Sequence, residues 1–317
     1  MLNSNMSPDE SPWDENPHVQ KPNSTSGKSA LDYLGLTTDY LSIPLCAGAI
    51  LANLLLITVI LKYKRLKNRT NFYMLNFAVF HTCYIISTPL FYIVLDLFYN
   101  SELEVHWYCV WIRVENFAIG LILTFVGGFG IDAFFEKIRP SWFGKYERRY
   151  LYLFSFFYFS HFLMYVTAAS VCLKTGFSNN FSFYFLTTYY FVILISVLYV
   201  NYKEKKMETN FKLSTPNKAY ALNISVIILL CWIPLFIFYN LMNIFKNIQK
   251  VEHILWYTAF LPEYLAYCCS IIIVCKLWKS SKHFRAAFRK VFRRPVLDSE
   301  YDELNVNENG EEISKPL

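Results

Sequence analysis

Side chains able to do chemistry are sparse along the apolar stretches of this chain, and those present suit binding better than catalysis. Two carboxylates, Glu115 and Glu263, interrupt long apolar runs. A carboxylate in such a setting needs a partner, so Glu115 could pair with a cationic ligand or with another helix. Arg113 lies too near Glu115 in sequence to face the same way on a helix. Aromatic groups stand around the acids at helical spacing. Tyr239 follows Trp232 by seven residues and shares its face, and Tyr264 and Tyr267 come just after Glu263. Such a stripe lines a cavity or simply builds a core. His81 sits in another apolar run, either as a pH-sensitive buried group or as a neutral hydrogen-bonding core residue. The eight Cys follow no metal-ligand spacing. Cys83, Cys231, Cys268, Cys269 and Cys275 lie in apolar runs, where a thiol behaves as a small hydrophobe. No Ser/His/Asp set, glycine-rich phosphate loop or HExxH motif is present. An enzyme is not expected, and no cofactor or metal is called for.

The elements that must position these groups are long and apolar. Over 317 residues the chain is 55% hydrophobic, with 29 Phe and 24 Tyr, and its mean hydropathy is positive. Apolar runs separated by short basic segments describe a polytopic helical membrane protein. The alternating ten-residue pattern of a β-barrel is absent. The net charge of +6 is no nucleic-acid signature, because the bases concentrate between apolar runs. Seven candidate spans fall at 40–62, 71–97, 107–135, 150–173, 181–202, 219–245 and 254–278, each near or above the ~20 residues that cross a bilayer. The fold class expected is therefore all-α, a bundle of seven transmembrane helices occupying 40–278.

Residues 1–39 are polar and read as a disordered tail, without the apolar core of a cleaved signal peptide. Asn5 and Asn23 open glycosylation sequons that matter only if this tail leaves the cytoplasm. Similar triplets at Asn68 and Asn223 read as chance. Fifteen Lys and Arg fall in the segments after the first, third and fifth spans, against three in the alternate ones. By the positive-inside tendency, the N-terminus is outside and the C-terminus cytoplasmic. Residues 279–294 alternate Phe284, Ala287, Phe288, Val291 and Phe292 with bases, as an amphipathic helix on an anionic membrane surface would. The remainder, 295–317, is an acidic tail.

Several motifs make the chain similar to the rhodopsin-like G-protein-coupled receptors. Cys231-Trp232-Ile233-Pro234 resembles that family's sixth-helix motif, whose Trp lies under the ligand and whose Pro kink lets one helix end swing. Arg69-Thr70-Asn71-Phe72-Tyr73-Met74-Leu75-Asn76-Phe77-Ala78-Val79 resembles the opening of its second helix. Asn53 stands like the Asn of its first helix, and Pro89 where the second often kinks. The resemblance implies a disulfide between Cys109, opening the third span, and Cys172, closing the fourth. It also implies switch and coupling roles for Asn53, His81, Asp132, Ala133, Phe134, Trp232 and Pro234. A ligand would meet Glu115, Trp232, Tyr239, Glu263, Tyr264 and Tyr267.

The chain departs from the family pattern in chemically meaningful ways. In Asp132-Ala133-Phe134, Ala stands in place of the Arg that ties the third helix to the sixth and meets the G protein, and Ala has neither charge nor donor. His81 replaces the acid that binds sodium, and imidazole offers no hard anionic oxygen. The fourth span lacks the family's Trp, the fifth has no Pro, and the seventh has no Asn-Pro-x-x-Tyr, the corresponding stretch lying near Ser270. No Lys occurs in 254–275, which excludes a retinal Schiff base. A divergent member, like those among invertebrate serpentine receptors, is the expectation. Such a receptor would sit in the plasma membrane and partner an extracellular ligand (peptide or small molecule), a heterotrimeric G protein and lipid, with no nucleic acid. A transporter or channel, or a weakly coupling receptor-like protein, is the alternative.

Overall fold

The computed structural model describes residues 30–91, 105–138, 149–175, 181–211, 220–245, 248, 251, 254–255 and 258–292. Eight α-helices account for nearly all of them: α1 Ala30–Lys62, α2 Arg69–Ile85, α3 Val105–Ile138, α4 Arg149–Thr175, α5 Phe181–Phe211, α6 Tyr220–Phe245, α7 Phe260–Ser280 and α8 Lys282–Val291. Six of these, α1 and α3 to α7, are long and apolar enough to cross a membrane, where a helix can satisfy its own backbone without water. The protein thus has the character of a multi-pass membrane protein.

The second expected span is where structure and sequence part. Asn68 caps α2, its Oδ1 accepting from the Asn71 N–H at 2.8 Å, so the triplet there serves the backbone. The α-helix then stops at Ile85 and widens into a π turn, Ile86–Leu90, with Pro89 inside it. Pro89 lacks an N–H and its ring crowds the carbonyl four residues back, which a wider turn relieves. The Trp111 indole of α3 donates to the Ser87 carbonyl at 2.5 Å, so the turn is sealed by a neighbouring helix. As described, α2 is not among the six long apolar helices, and 92–97 of the expected span lie outside the described residues. Helix α1 differs at its start: it begins at Ala30, inside the stretch expected to be disordered. The Tyr264 hydroxyl of α7 donates to the Thr38 carbonyl, a tertiary contact that hydropathy does not register. Residues 1–29 and 293–317, with Asn5, Asn23 and the acidic tail, lie outside the described residues.

Helix α3 is the hub. It packs on α2, α4, α5 and α6, while α1 closes the ring by touching α2 and α7, and α7 also touches α6. Within its most apolar window 83% of α3 is buried, against 11% for α4. Glycines make the close approach possible. A Cβ at Gly128 would stand 2.6 Å from Tyr73 Cε1, and one at Gly120 would stand 2.7 Å from His161 Cδ2. Ser225 of α6 adds a hydroxyl bond to the Val126 carbonyl at 2.9 Å. After α7 the chain breaks at Ser281, whose backbone is extended, and α8 turns Phe284, Ala286, Ala287 and Phe288 inward. Trp278 stacks on Phe288 at 5.9 Å between centroids, joining α8 to the bundle.

Candidate functional site: a polar and aromatic column on the bundle axis

The column begins with an amide in an apolar helix, a group that must find a partner. Asn53 of α1 is fully buried. Its Nδ2 lies 3.1 Å from His81 Nδ1 of α2, and the Ser270 hydroxyl of α7 donates to its Oδ1 at 2.6 Å. Ser270 Oγ also lies 2.6 Å from His81 Nδ1, and the Cys269 Sγ lies 3.6 Å from His81 Nε2. Both Asn53 Nδ2 and Ser270 Oγ approach His81 Nδ1, so which of these atoms donates follows from which ring nitrogen holds the proton. His81 is thus a fully enclosed hydrogen-bonding group joining three helices.

Aromatic rings continue from there. The His81 ring stacks on Phe77 at 5.3 Å and meets Trp232 edge-on at 6.3 Å. Trp232 of α6 is fully buried and packs against Tyr84 at 5.3 Å and Phe236 at 6.3 Å. Its indole N–H faces the Cys269 thiol, and the Tyr84 hydroxyl has no hydrogen-bond partner among the described residues. Half a turn along, Pro234 removes the N–H that would serve the Leu230 carbonyl. Beside that gap the Tyr190 hydroxyl of α5 donates to the Leu229 carbonyl at 2.7 Å.

The column ends at an acid. Tyr239 and Tyr267 each point a hydroxyl at Glu263, at 3.4 Å to Oε1 and 3.3 Å to Oε2. Tyr84 and Tyr267 are 6.1 Å apart. Glu115 of α3 is half-buried and within electrostatic reach of Glu263 and of the Tyr84 hydroxyl. The structure therefore brings Glu115, Trp232, Tyr239, Glu263 and Tyr267 to one column, whereas Tyr264 turns to α1. Arg113 faces elsewhere, with Met164, Tyr165 and Leu186 in a small pocket between α3, α4 and α5. Tyr84, three residues beyond His81 and on its face, was recoverable by helical spacing; nothing in the sequence marked Ser270 and Cys269 as its neighbours.

At the opposite end of the bundle stand the other expected switch residues. Asp132 is 8% exposed and pairs with Arg69 of α2, Nε to Oδ2 at 2.8 Å. Ala133 is buried and Phe134 half-buried. The Tyr220 hydroxyl, at the start of α6, donates to Asn71 Oδ1 at 2.9 Å. Tyr220 did not stand out in the sequence, and Arg69 opened the second-helix motif and counted as a base beside a span, with nothing to mark Asp132 as its partner. Cys172 is fully buried and is not one of the free thiols, while the Cys109 side chain lies outside the described residues. No protein-family model matches the chain, and no curated protein matches it.

Proposed function

We propose that the chain is a divergent rhodopsin-like receptor of the plasma membrane, binding an extracellular ligand and signalling to a heterotrimeric G protein. The observation that carries this reading is the setting of Trp232. It lies one turn or less from Pro234, with the Asn53–His81–Ser270 cluster on one side and the Tyr84, Tyr267, Tyr239 and Glu263 groups on the other. A ligand reaching Glu263 and its tyrosines would press on a buried indole beside a proline, where one helix end can pivot. In this reading α2 and its π turn form the second span and complete the seven, and α8 rests on the cytoplasmic membrane surface with the exposed Lys282 towards lipid head groups. The Glu263 end faces out, the Asp132 end faces the cytoplasm, and Cys109 and Cys172 form a bridge in the oxidising compartment.

The test is a ligand screen in cells reporting G-protein activation, with Trp232→Ala and Glu263→Gln as controls. A ligand whose response both substitutions weaken is the expected result. Glycosidase treatment should sharpen and lower the band of the full chain, and should do so less after Asn5→Gln with Asn23→Gln. A tail found in the cytosol by epitope protection overturns the reading.

A further inference from the structure

Ala133 leaves no cation beside Asp132 on α3, and the structure brings one from another helix. Arg69 is the first residue of α2, and the N-terminal turn of a helix carries positive partial charge that disfavours a base. No acid occupies that turn to offset it. Asp132 is 8% exposed, a burial that a carboxylate tolerates when paired. Each charge is unfavourable where it stands, and the 2.8 Å contact between them relieves both. Residues that break a local rule in this way tend to mark functional positions.

Two residues further along the same helix, Asn71 is fully buried and takes the Tyr220 hydroxyl of α6. Asn71 is itself held in place. Its Nδ2 donates to the Leu66 carbonyl at 3.0 Å, and its N–H is capped by Asn68. The Tyr220 ring also touches Phe129 of α3 and Phe284 of α8, at 6.5 and 6.3 Å between centroids. One short helix terminus therefore holds α3 by charge and α6 by a hydroxyl.

Resting on the receptor reading above, we propose that residues 69–71 form the resting-state latch of this protein, built on α2 instead of on the third helix. Tyr220 is the first residue of α6 and Pro234 its pivot, so Tyr220 moves furthest when the helix swings. The Tyr220–Asn71 bond opposes that swing directly. The Arg69–Asp132 pair acts through it, as a positioning contact that keeps Asn71 where Tyr220 can reach it.

The experiment uses the full chain in inside-out membranes, with Ala221→Cys as a reporter because Ala221 is fully buried beside Tyr220. A water-soluble maleimide labels it, and the same chain without the reporter gives the background from the native thiols. Tyr220→Phe should raise the labelling rate about threefold to tenfold, the change one lost hydrogen bond makes in an opening equilibrium. Asp132→Asn and Arg69→Gln should each raise it similarly, and exchanging the two charges, Arg69→Asp with Asp132→Arg, should restore most of the original rate. An unchanged rate in Tyr220→Phe, or an exchanged pair no better than the single variants, overturns the latch. Tyr220→Phe removes one oxygen only, so the test survives if a charge variant fails to fold. Nucleotide exchange on added G protein is read in the same membranes. Labelling that responds while exchange stays flat preserves the latch and removes the receptor reading.

Discussion

Ser270 Oγ lies 2.6 Å from His81 Nδ1, and the same oxygen donates at 2.6 Å to Asn53. One hydroxyl on α7, with a single proton to give, thus contacts polar groups on both α1 and α2. The three residues are each fully buried, so every member leaves the others short when it is removed.

Ser270→Ala should therefore destabilise the bundle by about 1–3 kcal/mol, the usual cost of orphaning buried polar partners. Asn53→Ala should cost at least as much, since it removes a donor and an acceptor together. The double variant should cost less than the two changes added, because they share a network. Thermal denaturation of the four proteins in one detergent measures all of this.

Trp232 offers a second test. Trp232→Ala empties a fully enclosed site among Tyr84, Phe236 and His81, and should lower stability by about 3–5 kcal/mol. Trp232→Phe should cost clearly less. The ligand response is expected to fall in both, so comparing them separates loss of packing from loss of the switch.

The glycines of α3 should not be equivalent. At Gly128 an added methyl meets the Tyr73 ring at 2.6 Å, and Tyr73 is 2% exposed inside the core. At Gly120 the methyl meets His161 at 2.7 Å, a half-buried ring on the outlying α4. Gly128→Ala should cost about 1–3 kcal/mol, and Gly120→Ala markedly less. The midpoint of thermal inactivation of the purified chain ranks them.

Tyr239→Phe and Tyr267→Phe should leave stability nearly unchanged, because their bonds to Glu263 are long, at 3.4 and 3.3 Å. Under the receptor reading each should weaken the response to ligand several-fold. Dose–response curves beside surface-expression controls decide it, and a loss of stability without a change in response would count against a binding role.

How much of this was legible depends on whether a residue's neighbour lies along its own helix or across a gap. Asn53 announced itself as an amide needing a partner, and Trp232 with Pro234 marked a pivot. Neither revealed that Ser270 and Tyr84 would meet them, because helical spacing gives the face of one helix and not the register between two. Tyr84 was one aromatic in a chain holding 24 Tyr and 29 Phe. Arg69 read as a base near a span and as the first residue of the second-helix motif, and its pairing with Asp132 appears only when α3 comes alongside. Pro89 flagged a bend but not the widened turn, nor that Trp111 would arrive from another helix to take the Ser87 carbonyl. The contact of Tyr264 with the Thr38 carbonyl of α1 likewise comes from the far end of the sequence.

The contrast between α3 and α4 carries a lesson for how such a chain can drift over time. Within its most apolar window 83% of α3 is buried among its neighbours, so most substitutions there are felt at once. Along α4 only 11% of its most apolar window is buried, and its exposed positions, such as Phe156, Phe159 and Phe162, would accept other apolar side chains. Tolerance to change should therefore be apportioned rod by rod, with the fourth the freest text in the membrane and the third the most tightly edited.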